Sequence, residues 1–179
     1  MPLVPVSEMP GASSGASTGK VYEINLDLGS IQGESTSSTH PNTIEIDSFS
    51  FVMTNTPVRT GSGPQKGGKV SISEVELTKA VDKATSQLCA AVSFGQLFKT
   101  ATLTWSKSTG GKKPEDYMTI TLTNALVTSV HLTSPGSRGI GVESVSLSFD
   151  SIAITYMVQG KDGLLTRTGA WSYSLAAGA

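Results

Sequence analysis

Apolar and polar residues alternate along most of the chain, and this period of two is typical of β-strands with one buried face. In residues 20–28 the apolar positions are Tyr22, Ile24, Leu26 and Leu28. The longest alternating segment is residues 115–132, where one parity holds the apolar residues Met118, Ile120, Leu122, Leu126, Val130 and Leu132. Residues 101–106 and 170–175 alternate in the same way. The pattern predicts a protein built mainly from strands.

Three alternating segments change parity part-way: residues 43–54, 69–77 and 145–158. In the first, Ile44 and Ile46 give way to Phe49 and Phe51, and a bulge near Asp47 and Ser48 would return both sets to one face. Residues 115–132 would also span about 55 Å if straight, at ~3.3 Å per residue, so this strand should coil or serve two sheets. Strongly curved strands in a small barrel or tight sandwich are predicted.

Helical spacing is restricted to residues 85–94, where Leu88, Ala91 and Val92 follow an i, i+3, i+4 pattern. Thr85 is the predicted N-cap and Gly95 the predicted end of this helix. The sequence GKDG at 160–163 predicts a hairpin turn between the last two strands. The Pro-, Gly- and Ser-rich residues 1–19 are expected to form a flexible N-terminal arm, followed by one all-β domain with one helix over residues 20–179.

Composition excludes several classes of protein. The chain has 179 residues, a formal charge of −1 and a pI near 6.1, which argues against a nucleic-acid partner. It has no apolar run long enough for a membrane-spanning helix, so no membrane insertion is expected. Its N-terminus lacks a basic region followed by an apolar core, and any export is expected to proceed without a cleaved signal peptide. The single Cys89 excludes an internal disulfide and is expected to be a small buried residue.

Motifs for catalysis or cofactor binding are weak. The stretch GPQKGGKV at 63–70 has the spacing of a phosphate-binding loop, but Val70 replaces the hydroxyl residue and a strand pattern follows where a helix is required. His40 and His131 lie far apart without further ligands at metal spacing, and there is no G-x-S-x-G elbow on an α/β scaffold. Acidic residues such as Asp27, Glu45 and Asp47 fall on strand positions that face solvent. We therefore expect no catalytic residue, no metal and no cofactor.

Neutral hydroxyl residues follow the polar faces of two predicted strands: Thr119, Thr121 and Thr123 on one, Ser146 and Ser148 on the other. An ordinary wet sheet face accounts for such rows. The alternative is a surface of low charge that touches many partners without binding any of them tightly.

The segment GKVSISEVELTKAVDKATSQLCAAVSFGQ (68–96) resembles the most recognisable part of the Hcp (hemolysin-coregulated protein) family. Three further stretches resemble the family in the same order, namely IQGEST with His40 after it, EDYMTITLTNALVTSVHL and ESVSLSFDSIAITY. The resemblance covers about residues 20–173. It implies a small barrel of two curved antiparallel sheets with an α-helix alongside.

The resemblance also implies a function. Hcp proteins form homo-hexameric rings that stack into the inner tube of the type VI secretion system, which carries effector proteins, is surrounded by sheath proteins and is capped by a VgrG-type spike. The tube is assembled in the bacterial cytoplasm and expelled. The chain would thus be a structural protein and not an enzyme.

Site residues are carried over by their match to the family pattern. Gly33, Glu34 and Ser35, with His40, correspond to the start of an extended loop that contacts neighbouring subunits and rings. Ser50 corresponds to a small polar residue on a strand that faces the channel and its effector cargo. Two other interpretations remain open: a tube subunit of another phage-tail-like contractile particle, and a small β-barrel that binds a ligand.

Overall fold

The computed structural model describes residues 22–58, 61, 67–108, 113–134, 136, 139, 141–160 and 165–176. The predicted arm at 1–19, the first half of GPQKGGKV and most of the GKDG turn lie outside these residues. The elements, in chain order, are β1 (Tyr22–Asp27), β2 (Ile44–Glu45), β3 (Ser48–Ser50), β4 (Met53–Asn55), β5 (Val70–Ile72), β6 (Val75–Ala80), α1 (Thr85–Phe94), β7 (Leu97–Lys107), β8 (Glu115–Thr133), β9 (Val142–Ser148), β10 (Ser151–Gln159) and β11 (Leu165–Ser174).

Strand pairing confirms an all-β fold with two antiparallel sheets and one helix. The larger sheet has the order β2-β1-β7-β8-β9-β6-β3, with β10 and β11 branching from β8, and the smaller sheet pairs β4 with β5. Pairing among the described residues does not close this sheet into a ring. β10 and β11 form an antiparallel pair, as expected for a hairpin.

β8 serves two groups of strands, as its length predicts. One edge pairs with β7. The other edge pairs with β10 from Met118 to Thr123 and with β9 from Leu126 to Thr133. The two groups meet at Asn124, whose φ of 50° lies in the left-handed region and whose side chain donates to Asp150 Oδ2 at 2.8 Å.

The prediction of one constant inward parity along β8 is wrong. Ile120 and Leu122 are buried, but beyond Asn124 the buried residues are Ala125 and Val127, and Leu132 is 51% exposed. The left-handed backbone at Asn124 rotates the strand, so the opposite parity faces the core at Ala125 and Val127. The register shift between Val127 and Ser129 then reverses the parity again, and Val130 packs against the core.

The predicted parity changes in residues 43–54 and 69–77 are breaks between strands. β2 ends at Glu45 and β3 begins at Ser48 with a different neighbour, since Ile46 N donates to Ile24 O whereas Asp47 N donates to Thr78 O. The chain thus changes partner strand within two residues, where the sequence pattern suggested a bulge. Ile44, Ile46 and Phe49 nevertheless pack in one core.

Helix α1 packs on this core through Leu88 and Ala91, both fully buried. Gly95 ends it in the left-handed conformation, as predicted, and the Gln96 amide donates to Ala91 O at 2.9 Å. The prediction of Thr85 as N-cap is wrong, because the N-cap is Ala84 and it makes no side-chain capping bond. The expectation of a buried Cys89 is also wrong: it is exposed, because Leu88 and Ala91 face the core and Cys89 lies on another side of the helix.

Candidate assembly and channel surfaces

Ser50 lies at an exposed position of β3 within a face of hydroxyl side chains. Antiparallel register aligns it with Glu76 on β6, Ser146 on β9 and Ser129 on β8. The next row across the same strands is Ser48, Thr78, Ser144 and His131. We call these two rows the Ser50 face.

Short polar contacts and a shallow groove characterise the Ser50 face. Ser129 Oγ lies 2.9 Å from Ser146 Oγ. A groove of about 240 Å³ runs between Ser50, Glu76 and Ser144. Below the face, Phe49 fixes β3 to the core through edge contacts with Phe51 and Trp105, whose ring centres lie 5.8 and 5.0 Å away.

A second hydroxyl face crosses β7, β8, β10 and β11, and we call it the Thr123 face. One row joins Thr100, Thr123, Ser151 and Ser174, and the next joins Thr102, Thr121, Ala153 and Ser172. These eight side chains carry no charge. The Ser50 face and the Thr123 face are therefore both candidate channel linings, and sequence reasoning found parts of each.

The predicted interface loop folds back on itself as a hairpin-like turn between Leu28 and Thr43. Gly33 N donates to Asn42 O at 2.9 Å and Ser35 N to Thr43 O at 3.1 Å. A Cβ on Gly33 would lie 2.4 Å from Thr43 O, so only glycine allows the two arms to approach this closely. The buried Ser35 accepts the Ser37 amide through its hydroxyl at 3.2 Å.

The other two predicted loop residues attach the loop to the body of the subunit. Glu34 Oε1 accepts the amide of Lys83 just before α1, at 3.2 Å. His40 Nε2 lies 2.8 Å from Asp116 Oδ1, which also accepts the Ser106 hydroxyl at 2.7 Å. The loop's outer rim stays exposed between these anchors, and its contact with a neighbouring subunit stays a prediction.

A buried ionic cluster beneath the start of α1 was missed by sequence reasoning. Lys79 Nζ donates to Asp82 Oδ1 at 2.6 Å, to the Ala80 carbonyl at 2.7 Å and to Glu143 Oε1. Thr85 donates its hydroxyl to the same Glu143 oxygen at 3.0 Å. Lys79 is 2% exposed and Glu143 is fully buried. The sequence did indicate that Lys79 faces the core, because Lys79 shares the parity of the buried Val75 and Leu77.

The remaining predictions concern the phosphate-loop spacing, a metal site and a membrane-spanning helix. β5 follows Lys69 directly, so the phosphate-loop spacing leads into a strand, as predicted. Within the described part of the chain no three His, Cys, Asp or Glu side chains converge as metal ligands. The ten-residue α1 is the helix present there, and it is too short to cross a bilayer.

Comparison with known proteins agrees with this geometry. Residues 24–156 match the family described as "Type VI secretion system effector, Hcp". Protein hcp1 of Pseudomonas aeruginosa is 33% identical over 138 residues, which cover 77% of this chain and 85% of that protein.

Solved structures show the same fold. A type six secretion system protein superposes with a TM-score of 0.80 at 24% identity, covering 88% of this chain and 98% of the other. Hcp1 of Salmonella typhimurium superposes with a TM-score of 0.71 at 26% identity, covering 88% and 97%. The sequence match and the shared architecture together show that the chain belongs to the Hcp family of type VI secretion proteins.

Proposed function

We propose that this protein is the structural subunit of a type VI secretion tube and has no enzymatic activity. It forms hexameric rings that stack into a hollow tube, carries effector proteins in the channel, and is itself secreted after assembly in the bacterial cytoplasm. Sheath proteins surround the tube and a VgrG-type spike caps it. Membership of the Hcp family supports this role.

The observation that carries the proposal is the low charge of the hydroxyl faces. A channel that passes different proteins needs a lining that wets easily and does not hold any one of them by strong ionic contacts. Among the eight residues of the Ser50 face, Glu76 is the one carboxylate and the other side chains are hydroxyls apart from His131. Low charge suits the Thr123 face as well, so we place the Ser50 face toward the channel because Ser50 corresponds to the small polar residue on the channel-facing strand of the Hcp family, with Ser50 in contact with effector cargo.

The loop containing Gly33, Glu34, Ser35 and His40 is proposed to contact the neighbouring subunit through its exposed rim. Its anchors to Lys83 and Asp116 fix its position before assembly. A preformed loop loses little conformational entropy on binding, which favours ring formation. Because a ring interface joins two different surfaces of each subunit, six such contacts close only if each subunit turns by the same angle.

Ring formation is tested by electron microscopy and by the mass of the purified protein in solution. We expect six-fold rings and a hexamer mass. A species that stays monomeric at high concentration would overturn the proposed function.

Ser50→Gln tests the channel assignment. The longer amide side chain should obstruct cargo at the Ser50 face and reduce the amount of effector that co-purifies with the rings, with ring formation unchanged. Thr123→Gln is the matched control, because it makes a similar change at an exposed position of the Thr123 face. Loss of rings, or unchanged effector retention with Ser50→Gln, contradicts the assignment.

A further inference from the structure

Aromatic side chains lie exposed at the end of the sheet where β1 begins. Tyr22 on β1 is 66% exposed, Tyr156 on β10 is 44% exposed and Trp171 on β11 is 36% exposed. Tyr117 on β8 connects the first two, because its ring centre lies 6.3 Å from that of Tyr22 and 6.2 Å from that of Tyr156. We call these four side chains, with the exposed Val158 of β10, the aromatic surface.

The strand register shows which side of the sheet carries the aromatic surface. Tyr156 and Val158 share the parity of Ile152, which is buried in the core. Trp171 pairs with Ile154, which has the same parity. The surface therefore continues the core-facing side of the sheet beyond the point where the core ends. A contiguous apolar patch of this kind marks a site that another segment or molecule covers.

The N-terminal arm leaves directly from the aromatic surface. Residues 1–21 lie outside the described part of the chain, and they connect to Tyr22, whose ring belongs to the surface. Residues 11–19, GASSGASTG, have the composition of a flexible linker, and nine such residues span roughly 17 Å on average. Trp171 on β11 is four strands from β1, or about 19 Å at ~4.8 Å per strand. The start of the arm can thus reach the whole surface.

The first residues of the arm have a sequence that suits aromatic rings. Residues 2–5 read PLVP, so Pro2 and Pro5 have P-x-x-P spacing, and the apolar Val6 follows. A polyproline II helix has three residues per turn and a rise of ~3.1 Å, which places the two prolines on one side, about 9 Å apart. Segments of this type bind surfaces lined by aromatic side chains and lose little conformational entropy when they do so.

An apolar occupant from the same chain suits the surface better than an ionic or separate one. The Lys107 ammonium lies 5.7 Å from the ring centre of Tyr117, so this ring already has a cation beside it. The rings of Tyr22, Tyr156 and Trp171 are left for apolar contacts. A short tether raises the local concentration of the arm to about the millimolar range, which a separate polypeptide would have to match.

We propose that residues 2–6 bind to the aromatic surface of their own subunit as an extended polyproline II segment, with Pro2 and Pro5 against its rings. The contact does not depend on ring formation. In a free subunit, a segment held by so few contacts exchanges between bound and unbound states. A second ring that covered this end would hold the segment in place, in agreement with the ordering of the arm that is expected where rings meet.

Substitution of the two prolines tests the contact in the full chain. The chain contains two tryptophans, Trp105 and Trp171, so fluorine-labelled tryptophan gives one NMR signal for each. Pro2→Ala with Pro5→Ala should shift the Trp171 signal and leave that of the buried Trp105 unchanged. Pro10→Ala removes a proline outside the P-x-x-P spacing and should leave both signals unchanged. The proposal is overturned if the double variant does not shift the Trp171 signal, or if Pro10→Ala shifts it equally.

A peptide tests the surface itself. Added to a chain that lacks residues 1–19, a peptide of residues 1–10 should shift the Trp171 signal in a saturable way. Tyr156→Ser in that chain should weaken peptide binding at least about fivefold, because it removes an aromatic contact. Val52→Ser is the matched control, since Val52 is also exposed and lies on the chain between β3 and β4, outside the surface. Absence of a shift, or equal effects of the two substitutions, would overturn the proposal.

Mixed assemblies distinguish the arm of the same subunit from that of a second copy. Labelled chains without residues 1–19 are assembled with unlabelled full chains, at concentrations well below those at which the free peptide binds. The Trp171 signal of the labelled chains should stay where it is for the arm-deleted protein alone. A shift toward the position found in the full chain would show that the arm binds to another copy, and it would overturn the assignment to the same subunit.

Discussion

The buried pair formed by Lys79 and Glu143 determines how the start of α1 is attached to the sheet. Lys79 joins Glu143 on β9 to Asp82 in the turn before the helix, and Thr85 adds a hydroxyl from the first helical residue. A charge buried this deeply is stabilised only while its partner is present. The turn that leads into α1 thus depends on two charged residues whose strands lie side by side.

Glu143→Gln is expected to lower the free energy of unfolding by about 3 kcal/mol, because it leaves the Lys79 ammonium with one carboxylate fewer in a buried site. Urea denaturation measures the change. The exposed Glu76→Gln is the control and should be close to neutral. The double change Lys79→Met with Glu143→Leu should recover much of the loss, and a double variant less stable than Glu143→Gln would contradict the ionic explanation.

The parity of apolar residues contained the information needed to find this pair. Lys79 follows Val75 and Leu77 at spacings of two, and Glu143 precedes Val145 and Leu147 in the same way. Both charged residues therefore occupy inward positions, but charged residues on strands were assumed to face solvent. The error about Thr85 has the same origin: its hydroxyl donates to a distant glutamate, a partner that local sequence does not show.

The single left-handed residue in β8 determines which strands the sheet can join. Asn124 lies between the segment paired with β10 and the segment paired with β9, and its φ of 50° is tolerated because asparagine populates this region more readily than other side chains. Its contact with Asp150 lies at the boundary between β9 and β10. The left-handed residue of β8 thus lies at the position where the partner strand changes from β10 to β9.

Asn124→Val should destabilise the fold by about 2 kcal/mol, because a β-branched side chain is strained at positive φ. Asn124→Gly should cost less, since glycine accepts this φ but loses the contact with Asp150. Thr121→Val, on the same strand at ordinary φ, is the control. Thermal or urea unfolding measures all three, and equal stability of Asn124→Val and Thr121→Val would contradict the role of the left-handed residue.

The aromatic cluster that links β1, β8 and β10 makes stability depend on pH. Burial raises the pKa of Tyr117 above its ordinary 10.0, and the phenol groups of Tyr22 and Tyr156 raise this pKa further. The folded state therefore holds the Tyr117 proton more tightly than the unfolded chain. This contribution to stability is complete below about pH 10 and is lost as the pH rises through the folded pKa.

Tyr117→Phe should flatten the fall in stability above about pH 10, because phenylalanine has no proton to lose. Urea denaturation at pH values on either side of 10 measures the slope. Tyr173→Phe, outside the cluster, is expected to keep the slope of the unchanged protein. An unaltered slope for Tyr117→Phe would contradict the assignment.

At the scale of strands and helices, the alternation of apolar and polar residues located most strands but could not show which strands pair with each other. The longest strand, the helix and the three parity changes follow from spacing alone, since they reflect which side chains are buried. The change from β1 to β6 as partner, between Ile46 and Asp47, depends on contacts between residues distant in sequence. A cavity beside β1, lined among others by Tyr22, Trp105, Glu45 and Asp47, was missed for the same reason, although Glu45 and Asp47 are exposed, as predicted.

For the whole molecule, the sequence predicted an all-β subunit with one helix, and the family match confirms its class. The sequence showed part of each hydroxyl face, because the hydroxyl residues alternate with buried residues along each strand. Their extent was not visible, since a row such as Ser50, Glu76, Ser146 and Ser129 joins four strands through pairing. The arm at 1–19 lies outside the described residues, and we predict that it contributes to the contact between rings.

Deleting residues 1–19 should reduce the stacking of rings more than their closure, because the Pro-, Gly- and Ser-rich arm is expected to become ordered only where rings meet. Electron microscopy gives the tube length, and sedimentation gives the ring mass. A chain with residues 1–10 replaced by Gly and Ser at equal length separates the chemistry of the arm from its length. Tubes of unchanged length after deletion would contradict this role.

The pairing of β8 with two groups of strands also has a mechanical consequence. A pull on β11 passes through β10 to the first half of β8, and the same strand carries it onward to β9 and β6. Load between these strands passes through the hydrogen bonds that β8 makes with β10 and with β9, so the two groups separate only when one of these pairings ruptures.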